Sequence, residues 1–325
     1  MMTYPVKSIV WNRTERRLRL PWRLLAAIVV FGILTFGTQL LIQPFLLPVF
    51  VGLHLEPFGR VGRLLLLQFV QLFQFFIFAY VVGRFVDRRM FSDFGFHLSR
   101  AWWLDLGFGL VLGWLLMTSI FVVELAAGWI RITGYFQTIS EIPFASAFLV
   151  SALLFVFVGI SEELLLRGYL LTNLAEGFRW FRWITPKVAV GAAVISSSAI
   201  FGIGHIANPN ATPTSTFVIT LGGIMLASGY VLTGELGIPI GLHISWNFFQ
   251  TTVYGFSVSG LQLPVTVIAT EQAGPQLLTG GAFGPEAGLI GVGAICIGTI
   301  AVVQWVTFRE GSISLCSQVW TPEIR

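Results

Sequence analysis

Two adjacent glutamates, Glu162 and Glu163, sit inside an apolar run that extends from Phe144 to Tyr169. A charged residue at the centre of a membrane helix costs about 2.5–3.5 kcal/mol even on the lenient insertion scale. Two side by side cost more, because like charges raise each other's pKa. A chain tolerates them when the carboxylates face a polar cavity and find partners. Arg167 follows Glu163 by four residues, the spacing at which an acid and a base share a helix face. Glu162 points about 100° away from Glu163. One glutamate can be held by the arginine while the other faces a cavity. The bland alternative is a structural ion pair with a spare carboxylate.

Two further apolar segments each carry a histidine. The first ends Phe201-Gly-Ile-Gly204-His205, where Gly202 and Gly204 let a backbone or a substrate approach. The second reads His243-Ile-Ser-Trp-Asn247, with the histidine and asparagine again four apart on one face. Asn247 offers a donor and an acceptor, suited to a water, a substrate carbonyl or the imidazole. Taken singly, His205 reads as a hydrogen-bonded surface histidine and the His243–Asn247 pair as polar glue between helices. Together with the glutamates they describe hydrolysis. Glu162, His205 and His243 match the ligand set of a catalytic zinc ion. The same residues also suit metal-free hydrolysis, with a glutamate as general base and His and Asn on the oxyanion. Both routes stay open on the sequence.

These residues must be positioned by membrane helices. The chain has 325 residues, 55% hydrophobic and 10% charged, with a mean hydropathy of +0.83. A soluble domain carries about 25% charged residues. The expected fold is an all-α, polytopic transmembrane bundle of about eight spans. Their expected limits are 24–47, 61–82, 102–130, 144–174, 188–206, 216–232, 239–254 and 287–306. The first run is too long for a cleaved leader and reads as a retained anchor. The stretches 208–213 and 255–286 read as turns or irregular loops. Cys296 and Cys316 are separated by a helix length and make no disulfide.

With eight spans, 15 of the 19 Lys and Arg fall on the side of the N-terminus, 83–101, 175–187 and the C-tail. Arg60, Arg63 and Arg131 fall on the other side. This bias predicts cytoplasmic N- and C-termini. The net charge of +4 is accounted for by these flanks and implies no nucleic-acid partner. The expected organisation is a basic cytoplasmic segment at 1–23 and three helices with their loops over 24–143. A catalytic core follows at 144–256, then a loop, the last helix and a tail at 257–325.

Glu162-Glu163-x-x-x-Arg167, Phe201-x-x-x-His205 and His243-x-x-x-Asn247 resemble, in order and complete, the three motifs of the CAAX protease and bacteriocin-processing (CPBP) family. That family includes the type II CAAX prenyl endopeptidases, the Abi-type proteins and proteins like the lysostaphin-resistance protein. The resemblance covers about residues 144–256. It implies an intramembrane endopeptidase acting on membrane-associated or lipidated, CAAX-like proteins or peptides. Glu162 would be the water-activating glutamate, Glu163 and Arg167 the supporting pair. His205 and His243 would be catalytic or metal-liganding, and Asn247 would hold the oxyanion. The expected location is a prokaryotic cell membrane, because no targeting segment is evident. Two other classes compete: a non-catalytic immunity or scaffold protein of the same fold, and an ion-coupled transporter using Glu162, Glu163, Arg167 and Glu124. The transporter lacks the inverted repeat such folds show.

One difficulty stands in the sequence. With equal straight spans, His205 falls near the outer end of its helix and His243 near the inner end of its own. Some bend near Gly234-Glu-Leu-Gly-Ile-Pro239 is therefore expected.

Overall fold

The computed structural model describes residues 7–42, 44–45, 48, 59–138, 143–181, 183–322 and 324. Helices dominate. α1 spans Leu20–Gly37 and α2 Gly59–Val81, α2 continuing as a π-helical turn to Asp87. α3 spans Arg100–Ala126, and α4 runs Phe144–Phe178 through three abutting stretches. α5 spans Pro186–Gly204 and α6 Pro213–Thr233. α7 spans Gly237–Asn247 and continues as a π-helical turn to Val253, and α8 spans Leu289–Glu310. Among the described residues, seven helices are long and apolar enough to cross a membrane. The fold is thus the expected all-α polytopic bundle, with one fewer full span. The expected end of the first helix at Leu47 lies outside the described residues.

The missing span is α7, whose α-helical part has only 11 residues. It is short because it lies inside the bundle: every residue from Gly237 to His243 is buried. Two small-residue ridges let it sink there. A Cβ on Gly109 of α3 would lie 2.4 Å from the Ile238 carbonyl oxygen, and one on Gly113 would lie 2.8 Å from that of Leu242. In return, a Cβ on Gly241 would lie 2.3 Å from the Leu106 carbonyl oxygen. Gly109-x-x-x-Gly113 and Gly237-x-x-x-Gly241 therefore face each other, the small-residue packing that drives helix association in lipid.

The stagger of the helices removes the depth conflict without a kink. α4 runs for 35 residues, about 52 Å at 1.5 Å per residue, against a hydrocarbon core of about 30 Å. One end must overshoot it. α7 starts beside Gly168, where Leu236 packs, rather than beside the C-terminal end of α4. The turn before it is tight and buried: Gly234 adopts a left-handed φ of 74° and Leu236 N–H donates to the Gly95 carbonyl at 3.0 Å. His243 and Glu163 then both lie roughly 8–10 Å beyond that level. The expected buried turn is present, but the mismatch is absorbed by helix length.

Two regions depart from expectation. Ile130–Thr138 (β1) and Val265–Gln272 (β2) form an antiparallel ladder, with Ile130 opposite Gln272 and Thr138 opposite Val265. The sequence reading put Ile130 in a helix and 255–286 in loops. The β-branched runs Ile130-Arg-Ile-Thr133 and Val265-Thr-Val-Ile268 carry the strand preference, and Glu124 anchors the ladder by accepting from Gln272 at 2.7 Å. The basic N-terminal segment also docks rather than trailing in solvent. Trp11–Asn12 and Arg17–Leu18 form a short ladder, α1 starts four residues earlier than expected, and Arg17 and Arg23 are buried.

Candidate active site

α4, α5, α6 and α7 enclose a cavity of about 550 Å³. Glu162, His205, His243 and Asn247 all line it, although they come from three helices and span most of a hundred residues. The remaining wall is largely apolar and includes Phe155, Leu166, Ile219, Met225 and Trp246. Polar groups converging in an apolar pocket are the usual form of a binding site.

Glu163 and Arg167 stand behind this wall. Arg167 Nη1 donates to Glu163 Oε1 at 2.8 Å and Nη2 donates to the Gly223 carbonyl at 3.0 Å. The guanidinium also stacks 4.8 Å above the Phe201 ring. His243 Nδ1 lies 2.7 Å from the same Glu163 oxygen. A carboxylate paired with arginine only accepts, so Nδ1–H is the donor and Nε2 is turned toward Glu162, whose Oε2 lies 3.8 Å away. The hydrogen bond made by one imidazole nitrogen decides which nitrogen carries the proton. The two glutamates are thus separated in environment: the Glu163 side chain is fully buried, and that of Glu162 is 30% exposed.

His205 caps the C-terminus of α5, and its Nδ1–H donates to the Phe201 carbonyl at 2.8 Å, leaving Nε2 free of that bond. Phe201 stands edge-on to both imidazoles, with centroids 4.8 Å from His205 and 6.0 Å from His243. Two of the helices carrying the motifs are locally underwound into π-helix. α4 turns π-helical at Leu164, directly after the glutamates, and α7 at Phe248, directly after Asn247. Single π turns of this kind recur at functional sites.

Other polar residues reach the cavity from outside the motifs: Gln68, Asn208, Ser259 and Glu286. Asn208 Nδ2 donates to the Ser259 carbonyl at 3.0 Å, and the Ser259 amide donates to Glu286. Burial raises the pKa of Glu286, opposed by its hydrogen bonds with Ser259 and Gln250 and by nearby His205. Its lone position after Pro285 carried no spacing signal.

The donor set does not fit a three-ligand metal site as the side chains stand. Among the described residues no three His, Cys, Asp or Glu side chains gather closely enough to hold one ion. Glu162 and His243 approach each other, while His205 is bonded to its own helix.

Residues 144–249 match the family model of the type II CAAX prenyl endopeptidase Rce1-like proteins. This segment carries all three motifs, from the start of α4 to two residues beyond Asn247, and bears out the resemblance read from them. No curated protein and no solved structure matches the chain.

Proposed function

We propose that this protein is an intramembrane endopeptidase that cleaves membrane-associated or lipidated peptides, using water activated by Glu162. The observation that carries this reading is the unequal pair: Glu163 is bound by Arg167 and His243, while Glu162 faces the cavity with its Oε2 3.8 Å from His243 Nε2. A carboxylate so placed is within reach of a water and a peptide entering the cavity, as a general base must be.

The reaction follows from the groups at hand. A water held between Glu162 Oε2 and His243 Nε2 gives a proton to the carboxylate as its oxygen attacks the scissile carbonyl carbon. The carbonyl oxygen takes up the negative charge and accepts from the Asn247 amide, with His205 donating from Nε2 when protonated. Glu162 then passes its proton to the amine nitrogen as the C–N bond breaks. Glu163 and Arg167 hold the His243 tautomer and touch no reacting atom. No step passes through a metal ion, because the three candidate ligands do not converge.

The test is cleavage of a lipidated reporter peptide by the purified protein in a bilayer. Glu162→Gln should reduce turnover by about 100-fold or more, and metal analysis should find activity retained in protein free of zinc. Loss of activity on chelation, with recovery on adding zinc, would overturn the metal-free route. A folded Glu162→Gln variant cleaving at the wild-type rate would remove the catalytic assignment.

We also propose a cytoplasmic N-terminus and C-terminus, from the distribution of Lys and Arg, with the shorter α7 and its continuation to Val253 making the eighth crossing. Reporter fusions after Arg100 and Lys187 should read as cytoplasmic and one near Ala211 as external. A cytoplasmic reading at Ala211 would reverse this orientation.

A further inference from the structure

The family match ends at residue 249, yet the cavity wall continues with Val258, Ser259, Leu261 and Glu286. Val258 to Leu261 form a two-residue hairpin turn. Val258 N–H donates to the Leu261 carbonyl and Leu261 N–H to that of Val258, both at 2.8 Å. Ser259 and Gly260 at its tip have φ of 47° and 80°. Two left-handed residues in succession suit so tight a turn, where the usual pair is Asn-Gly or Asp-Gly. Glycine takes that conformation freely, but serine keeps it only where its surroundings enforce it.

The enforcing bonds reach three places. On the side of His205, the Asn208 N–H donates to the His205 carbonyl at 3.1 Å, and the Asn208 side chain donates to the Ser259 carbonyl at 3.0 Å. Gly260 lies so near the Pro209 carbonyl that a Cβ on it would clash. On the opposite side, Glu286 accepts the Ser259 N–H, and the Phe283 carbonyl accepts the Gly260 N–H at 2.8 Å. At the base, Gln250 lies three residues past Asn247 on the continuation of α7. Its side chain donates to the Ser257 carbonyl at 2.6 Å. The hairpin thus bridges the segment after His205 and the helix end after Asn247.

Glu286 is the member of this bracket that a plain turn does not require. A carboxyl group is costly to bury unless it is bonded, and Glu286 is only 7% exposed. A carboxylate that accepts a backbone N–H makes a stronger bond than a neutral acceptor does. Here that bond falls on the left-handed Ser259, whose two peptide groups are held from opposite sides by Glu286 and Asn208.

We propose that Glu286 is a positioning residue for the hydrolytic site. It seats the Ser259 turn, and the turn holds His205 in register with the end of α7 that carries Asn247. This rests on the reading above, in which those two side chains stabilise the oxyanion. Glu286 itself touches no reacting atom.

The test uses the full chain purified in detergent and has two readouts. The first is NMR of imidazole-labelled histidine. The chain has four histidines, so single His→Gln variants assign the signals. Glu286→Ala removes the acceptor and should move the His205 signals. Those of His243, bonded to Glu163, and of His97, bonded to Glu235, should stay. Asn208→Asp keeps the shape but exchanges the donor for an acceptor, so it should move the same signals. Glu286→Gln keeps an acceptor oxygen and should restore most of the wild-type spectrum. Asn208 is half-buried, so Asn208→Asp decides the matter if Glu286→Ala does not fold. His205 signals left at their wild-type positions would overturn the bracket, as would equal displacement of the His97 signals.

The second readout is cleavage. Oxyanion contacts act in the transition state, so Glu286→Ala should lower kcat on the order of ten- to a hundredfold with KM nearly unchanged. Glu286→Gln should recover most of that loss. Displaced His205 signals with an unchanged kcat, or a loss confined to KM, would overturn the role in turnover. The NMR readout does not depend on cleavage, so failure of the bracket is distinguished from failure of the endopeptidase reading.

Discussion

Two buried clusters of acid and base lie along α4, and they differ in what they leave over. At the inner end, Glu176 receives Arg17, Arg23 and Arg89, while Asp87 pairs with Arg23 and accepts from Asn173 at 2.9 Å. Both carboxylates are buried there, and each is committed to a partner. Midway along the helix, Glu163, Arg167 and His243 form a similar closed set, but Glu162 stands outside it and faces the larger cavity. The inner cluster locks the N-terminal segment, the end of α2 and α4 together. The central cluster uses the same chemistry to orient one imidazole and leaves one carboxylate facing the cavity, the one proposed above to activate water. Buried charge alone does not distinguish structure from catalysis; the proposed catalytic role rests on the unmatched member that faces a cavity.

The largest effects should come from opening either closed set. Removing one member of a buried pair leaves an uncompensated charge and costs roughly 3–5 kcal/mol. Arg167→Ala and Glu176→Ala should both lower folded yield and thermal midpoint in detergent. They should separate in the cleavage assay. The surviving folded fraction of Glu176→Ala should keep its turnover per molecule, whereas that of Arg167→Ala should lose turnover because His243 loses its fixed tautomer. If Glu176→Ala slowed cleavage by each folded molecule as much as Arg167→Ala, the two clusters would not have separate roles.

A second, smaller effect tests the leftover carboxylate. Among the described residues Glu162 makes no hydrogen bond for Glu162→Gln to break, so stability should stay within about 0.5 kcal/mol of wild type, while turnover falls. His243→Ala should cost a similar factor. The double variant should be scarcely slower than either single one, since residues that act as a unit are not additive. Fully multiplicative losses would mean that the two side chains act on different steps.

Much of this was open to reading before any coordinates. The three motifs are local in sequence and strongly typed, so Glu162, Glu163, Arg167, His205, His243 and Asn247 could be named from spacing in otherwise apolar runs. The spans were legible because lipid demands uninterrupted apolar helices. What escaped were features set by three-dimensional packing. α7 looks like a short span in sequence, and only the glycine ridge on α3 explains why it lies inside. The length of α4 beyond Leu174 was hidden because Asn173 and Glu176 are polar, a composition that reads as loop until their partners Asp87 and the N-terminal arginines are known. β1 and β2 are short and more than a hundred residues apart, so neither run announced its partner. Glu286 reaches the cavity through a fold-back that no local pattern encodes.

The smallest expected effect concerns how the central cluster is placed. α7 carries His243 and Asn247, and its depth is set by contact with α3 at Gly109 and Gly113. A methyl at Gly109 would meet the Ile238 and Leu242 backbone at 2.4 and 2.7 Å, atoms that cannot swing aside. Gly109→Ala should therefore push α7 outward and cost about 1–3 kcal/mol, the usual range for overpacking. Gly107, two residues earlier on the same helix, has nothing within 4 Å of an added Cβ. Gly107→Ala should be neutral or slightly stabilising, because alanine is the better helix former. The two substitutions add the same methyl to the same helix, so a difference in thermal midpoint isolates the packing effect. Turnover sharpens it: a displaced α7 moves His243 away from Glu162 and Glu163, so Gly109→Ala should lose activity beyond its loss of folded protein, and Gly107→Ala should not. Equal behaviour of the two variants would show that the glycine ridge does not hold the catalytic helix in place.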